Sequence, residues 1–177
     1  YGEFTTINLG VNRDTSQDGL DRMERDWGRV NAYFVYIMFG TNDVNSNFAS
    51  MPNTGDNIKE MVQYALDNGM YPIVMTVPPQ MNNLLYGKAQ LFEKNTEFLN
   101  EYIKREIGEG MGVPVVDTYM AFMTSDIGWR ACLEDYKGNH PSPDGHMIIA
   151  NLLTPKVLEL KPKMPEAIQV TTSGLYN

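Results

Sequence analysis

Three polar clusters combine residue types that acyl chemistry uses. The first is Gly40-Thr41-Asn42-Asp43, directly after the apolar run Ala32–Phe39. A strand ending there fixes the Asn42 carboxamide at a site mouth, and one such donor on a developing oxyanion is worth about 3 kcal/mol in acyl transfer. A plain turn would also favour Gly, Asn and Asp, for backbone reasons. The second cluster is Asn139-His140-Pro141-Ser142-Pro143-Asp144-Gly145-His146. Its prolines stiffen the turn and present His140, as a general base working near neutral pH requires. His146 sits where a helix begins and reads as a surface residue. The third cluster runs from Asn8 to Ser16, where a strand enters a polar turn that opens a helix. Backbone N–H groups at a helix start bind anions, so this turn can supply a second oxyanion donor. A capped helix is the plainer reading of the same residues.

Composition narrows the chemistry. The chain has 177 residues, 42% of them hydrophobic and 20% charged, which suits one ordered domain. A net charge of −8 argues against nucleic acid as a partner, because phosphate binding needs clustered Lys and Arg. Cys132 is the lone cysteine, so no internal disulfide and no cysteine-rich metal site is expected. With only His140 and His146, a histidine metal cluster is not expected either. No apolar run is long enough to span a bilayer. No Gly-rich phosphate loop is present, which ranks a flavin- or phosphate-binding protein last. The chain opens at Tyr1 without a methionine, which is compatible with a leader removed upstream and decides nothing.

These clusters need elements to position them. The pattern predicts strands over Phe4–Leu9, Tyr33–Phe39, Pro72–Val77 and Val113–Val116. The second of these, continuously apolar, is expected to be buried on both faces. Helices are predicted over Ser16–Trp27 (capped by Thr15 or Ser16), Thr54–Asn68, Ala89–Ile107 and His146–Leu158, the last kinked or shortened by Pro155. Strands alternating with helices imply a parallel sheet covered on both sides, with its site beyond the carboxyl ends of the strands. Asn12–Ser16, Gly40–Asn45, Pro78–Asn83 and Asp117 all fall there. Residues 1–160 therefore read as one domain. Residues 161–177 read as a linker or tail containing a further β-run, Ala167–Thr172, that returns to the sheet or begins another domain.

Taken in order and spacing, the clusters resemble the SGNH (GDSL-like) hydrolase family. Asn8–Ser16 with Gly19, Leu20 and Arg22 is similar to its second motif, Gly40–Asp43 to its third and His140–His146 to its fifth. Ile73–Pro79 resembles the strand before its variable loop. The resemblance covers about residues 4 to 158. It implies a flavodoxin-like, three-layer α/β/α fold with a parallel sheet, and ester hydrolysis through an acyl-serine without metal or cofactor. Residue by residue, it implies His140 as general base, Asn42 as oxyanion donor and Asp43 as anchor of its loop.

The sequence departs from the family's pattern in three places. The first motif, Gly-Asp-Ser after a first strand, is not found. The second-motif glycine, an oxyanion donor through its N–H, falls on Arg13. The aspartate three residues before the histidine falls on Lys137, and Asp135 can substitute for it only if the intervening loop bulges. The absent strand would lie centrally, between Phe4–Leu9 and Tyr33–Phe39. It lies upstream of Tyr1 or on another chain, or the tail fills its place and sets Ser173 where the family puts its nucleophile. Ser16 reads as a cap and Ser142 as part of a turn.

The expected function is removal of small, acetyl-like acyl groups from carbohydrate or short-chain esters. A secreted or extracytoplasmic setting and a further domain past the C-terminus fit the modular tail. The alternative is a non-catalytic module of the same fold that binds glycan or serves as a scaffold.

Overall fold

The computed structural model describes residues 5–30, 32–45, 50–80, 89–134 and 138–160. In chain order the elements are α1 (Ser16–Trp27), β1 (Phe34–Ile37), α2 (Thr41–Asn45), α3 (Met51–Asp67) and β2 (Tyr71–Met75). There follow α4 (Ala89–Tyr102), a π-helical continuation (Ile103–Glu109), β3 (Val115–Val116), α5 (Thr118–Met123) and α6 (Pro143–Leu160). The strands form a parallel sheet in the order β1-β2-β3, with Phe34 opposite Tyr71 and Val74 opposite Val115.

Side-chain alternation along the strands separates two cores. Val35, Ile37, Val74 and Val115 face α1, α3, α4 and the π-helical turns, through Met23, Ile58, Met61, Leu99, Ile103 and Ile107. Phe34, Ile73, Met75 and Val116 face α5 and α6, through Phe122, Ile149, Val157 and Leu160. Helices therefore cover both faces, which makes the three-layer α/β/α arrangement the sequence pattern implies. No helix among the described residues is long and apolar enough to cross a membrane.

Element boundaries follow local chemistry. Thr15 caps α1 in a reciprocal capping box with Asp18. Bonds from the Thr15 hydroxyl and backbone hold the Asp18 carboxyl below its ordinary pKa. The helix expected from Thr54 begins earlier, at Met51, because Pro52 fits a first helical turn. It stops at Gly69, whose φ of 72° a glycine adopts freely. The β2 ladder ends near Thr76 because the Asn100 amide takes over the next residue: it accepts from Val77 N–H at 2.7 Å and donates to Val77 C=O at 2.9 Å.

Three expectations fail. Thr5–Leu9 is not a strand (Phe4 lies outside the described residues), because no strand among the described residues pairs with it. Strand β1 is not buried on both faces: Tyr36 is 38% exposed, since β1 pairs with β2 alone among the described residues. Pro155 does not shorten α6, which starts at Pro143 and continues to Leu160. Asn151, whose carbonyl loses its partner at Pro155, is exposed and free to be hydrated.

Glycine at position 145 is dictated by packing. A Cβ there would sit 2.1 Å from the Cys132 carbonyl oxygen, a backbone atom that cannot step aside. Gly69, by contrast, has open space around it. In urea unfolding, Gly145→Ala is expected to lose about 3 kcal/mol through overpacking. Gly69→Ala is expected to lose only about 1 kcal/mol, from its positive φ. Equal losses would contradict the packing argument.

Candidate active site

The site begins where β1 ends. Gly40 has φ 116°, and a Cβ on it would press on Leu99 at 2.4 Å. That close approach lets the chain turn at once into α2, which the Gly40 carbonyl opens by accepting from Val44 N–H at 2.8 Å. Asn42 and Asp43 thus stand in the first turn of α2, and their side chains diverge.

Asp43 points inward and is 2% exposed. Its carboxylate accepts from Ser16 N–H at 3.0 and 3.1 Å, from the Ser16 hydroxyl at 2.6 Å and from the Thr54 hydroxyl at 3.2 Å. A carboxylate against the N-terminal turn of α1 is also favoured by that helix's dipole. Asp43 is therefore the loop anchor that the resemblance implies. Ser16 is buried and fully engaged, also accepting from Asn57 at 3.0 Å. It is neither the helix cap, which is Thr15, nor an available nucleophile.

Asn42 points the other way and donates Nδ2–H to the Asp14 carbonyl at 2.8 Å. The amide's second hydrogen is left for another acceptor. Asp14 closes a turn by donating N–H to the Val11 carbonyl at 3.3 Å. Arg13, third residue of this turn, has φ 72°, the left-handed conformation that such turns give to glycine. The residue that falls on the motif's glycine in the resemblance thus takes a left-handed backbone, and the Arg13 side chain lies exposed. Arg22 pins the same turn from α1: it reaches Asp14 at 2.6 Å, the Leu9 carbonyl at 2.8 Å and Asp26 at 2.7 Å. Asn42 and Arg13 are brought to one loop junction.

His140 lies between α5 and α6. Its backbone is clamped: Glu134 N–H donates to the His140 carbonyl and Ser142 N–H to the Cys132 carbonyl, each at 2.9 Å, around a Leu133–Pro141 bridge. The imidazole is exposed. Ser142 belongs to the turn, donating to the Ala131 carbonyl at 2.7 Å and accepting from Gly145 N–H at 3.2 Å. His146 is exposed on the first turn of α6. Asp135 and Lys137 lie outside the described residues, as do Ser173 and the whole tail 161–177. The residues flanking Asp135–Lys137 are tied directly, Gly138 N–H donating to the Glu134 carbonyl at 3.0 Å.

Some positioning residues escaped the sequence reading. Asn100 holds Val77. The Thr76 hydroxyl donates to Asp117 at 3.1 Å and accepts from Tyr119 N–H at 3.0 Å, which fixes the carboxyl end of β3. Lys104 meets the other Asp117 oxygen at 3.1 Å. Asn45 donates to Gln80 at 2.7 Å, joining α2 to the segment after β2. For Asn100 a signal existed: a polar residue beside Leu99, on the helix face that also carries Ile103.

The parallel α/β/α sheet, the buried Asp43 next to Asn42 and the clamped backbone of His140 agree with the motifs on which the resemblance rests. The chain belongs to the GDSL-like lipase/acylhydrolase family, whose model matches residues 1–148. It is 27% identical over 173 residues to the lipoprotein YqeF of Bacillus subtilis, across 84% of this chain and 71% of that protein. In structure it is similar to a GDSL-like lipase of Bacteroides thetaiotaomicron (TM-score 0.71, 23% identity, 83% of this chain and 72% of that one). It is also similar to a catalytic mutant of the acetylxylan esterase Axe2 of Geobacillus stearothermophilus (TM-score 0.64, 22% identity, 85% and 71%).

Two substitutions check this geometry in urea unfolding. Asp43→Ala strands the Ser16 N–H and hydroxyl in a dry site and is expected to lose about 3 kcal/mol. Arg13→Gly relieves about 1–2 kcal/mol of left-handed strain against about 0.5–1 kcal/mol of added chain entropy, so a small net gain is expected. A clear loss on Arg13→Gly would contradict the turn assignment.

Proposed function

We propose that the protein is a serine ester hydrolase that removes small, acetyl-like acyl groups from carbohydrate or short-chain esters. The observation that carries this is the junction of Asn42 Nδ2 with the Asp14 carbonyl, beside the left-handed Arg13. It leaves two N–H donors, one from the Asn42 amide and one from the Arg13 backbone, at a single strand end. Two preset donors in a fixed frame suit an oxyanion better than a ground-state carbonyl.

In the proposed cycle the serine Oγ attacks the ester carbonyl and its proton passes to His140. The oxyanion rests on Asn42 and Arg13 N–H. The intermediate collapses, and the alcohol leaves with the proton from His140. Water, deprotonated by His140, then attacks the acyl-serine, and collapse returns the carboxylic acid and the free serine. Asp135 is proposed to hold the second ring nitrogen of His140. An acetyl substrate is supported by the likeness to an acetylxylan esterase, and an extracytoplasmic setting by the likeness to a lipoprotein.

One observation favours a non-catalytic, glycan-binding module instead: a charged side chain on Arg13 stands where the motif has glycine. Hydrolysis of p-nitrophenyl acetate separates the two. On the esterase reading, His140→Ala lowers kcat by at least about 100-fold. Asn42→Ala lowers kcat by about 100- to 1,000-fold. His146→Ala leaves both parameters within about twofold, as an exposed helix residue should. No turnover above the His140→Ala control would sink the esterase reading.

A further inference from the structure

Among the described residues, Arg13 is the one non-glycine with a positive φ, at 72°. A Cβ makes that conformation costly, and Asn or Asp carries it more easily than arginine does. Strain of this kind persists where the surrounding structure imposes it, and it gathers at functional sites. Here the frame imposes it. Asp14 N–H closes the turn on the Val11 carbonyl at 3.3 Å, and Arg22 and Asn42 hold Asp14 from two sides. That frame fixes the Arg13 backbone but gives no reason for its side chain. The guanidinium is exposed and makes no hydrogen bond or ion pair among the described residues.

The charges around the turn leave Arg13 as the cation on offer. Asp14 pairs with Arg22 at 2.6 Å, and Asp26 pairs with Arg22 at 2.7 Å and with Arg25 at 2.8 Å. Asp18 accepts from the Thr15 hydroxyl at 2.6 Å, and Asp43 is buried against Ser16. Both of these serve the first turn of α1, whose dipole favours them. The carboxylates near Arg13 are thus occupied, and so is Arg22. A chain with a net charge of −8 repels anionic ligands over most of its surface. An uncommitted guanidinium at the site's edge offsets that repulsion locally.

Position follows from the backbone. The Arg13 N–H is one of the two donors that the esterase reading assigns to the oxyanion, so the reacting oxygen lies about 3 Å from the Arg13 nitrogen. The rest of the same substrate lies a few bonds further on, a span that an arginine side chain covers. A guanidinium binds a carboxylate through two parallel N–H donors, a match that a neutral hydroxyl or alkyl group cannot offer. A small, acetyl-like acyl group carries no second charge, so the carboxylate belongs to the alcohol part.

We propose that Arg13 determines specificity: its guanidinium pairs with a carboxylate on the alcohol part of the ester, so that the protein prefers acetyl esters of acidic alcohols to those of neutral ones. This inference rests on the esterase reading and deepens it.

The pair para-acetoxybenzoate and para-acetoxybenzamide tests it on the full chain, because the alcohol parts differ chiefly in charge. Each kcat/KM is divided by that ester's rate with hydroxide. The wild type is expected to favour the carboxylate at least about fivefold, through KM. In Arg13→Gly, which suits the turn, the ratio is expected to fall to about one. The ratio cancels any change at the oxyanion donor, since both esters use it alike. Added salt is expected to lower the wild-type ratio and leave that of Arg13→Gly flat. A second readout needs no turnover: the Kd of para-carboxyphenyl methylphosphonate against that of its carbamoyl counterpart. The same preference is expected there, and its loss in Arg13→Gly. Both esters hydrolysed with equal ratios in wild type and Arg13→Gly overturn the role of Arg13 and leave the esterase reading standing. Neither ester hydrolysed, with a phosphonate preference that Arg13→Gly abolishes, keeps the carboxylate contact and counts against the esterase reading. Neither ester hydrolysed and no phosphonate preference overturns both.

Discussion

The buried Asp43 carboxylate is the interaction on which the rest of the site depends. It gathers the first backbone N–H of α1, the Ser16 hydroxyl and the Thr54 hydroxyl into one dry knot. The knot is one corner of a closed circuit. From Ser16 the circuit follows α1 to Arg22, from Arg22 to Asp14 and Leu9, and from the Asp14 carbonyl back to Asn42, the residue beside Asp43. Each corner fixes the next, so the Asn42 amide is held by two elements far apart in sequence. A charge-assisted bond in such a frame keeps its strength because water is excluded from it. The strained conformation of Arg13 persists within the same frame, where its neighbours overdetermine it.

A second frame holds the opposite wall. Asn100 completes the end of β2, Thr76 and Lys104 hold Asp117 at the end of β3, and the Cys132–Glu134 backbone grips both sides of His140. These two frames meet through the sheet and through the Asn45–Gln80 amide pair. The relative positions of the segments that follow β1, β2 and β3 are therefore set by the register of β1 on β2 and of β2 on β3. This is an ordinary consequence of placing a site along the carboxyl edge of a parallel sheet: reach across strands is fixed by the ladder, while chemistry is varied by the loops.

Much of this was legible in the chain itself. Apolar periodicity marked α1, α3 and α4, and continuous apolar runs marked β1 and β2, because those signals come from burial against the sheet. The three polar clusters were legible because Gly40 and Gly145 have no room for a Cβ and Asp43 has a fixed set of partners. What failed depends on partners distant in sequence. Thr5–Leu9 has strand composition, but a strand is a property of two segments, and its ladder partner is not among the described residues. The exposed side of β1 has the same cause. Pro155 looked like a helix breaker, yet its vacated carbonyl faces solvent, which only the fold reveals. Thr15 and Ser16 were indistinguishable as caps until Asp43 claimed Ser16. The roles of Asn100 and Thr76 follow from where strands end, which periodicity locates only to within a few residues.

The most direct test of the proposal that Asn42 and Arg13 form one anion-accepting junction that works with His140 is a nitrogen–proton correlation titration with a short alkyl phosphonate. This ligand carries the tetrahedral, charged oxygens of an ester-hydrolysis intermediate without reacting. The predicted result is a joint shift of the Arg13 backbone amide, the Asn42 side-chain amide and the His140 ring. Asn57 and Asn68, whose amides serve helix packing, should remain unmoved. Shifts confined to other residues, or an Asn42 amide silent while the ligand binds elsewhere, would contradict it.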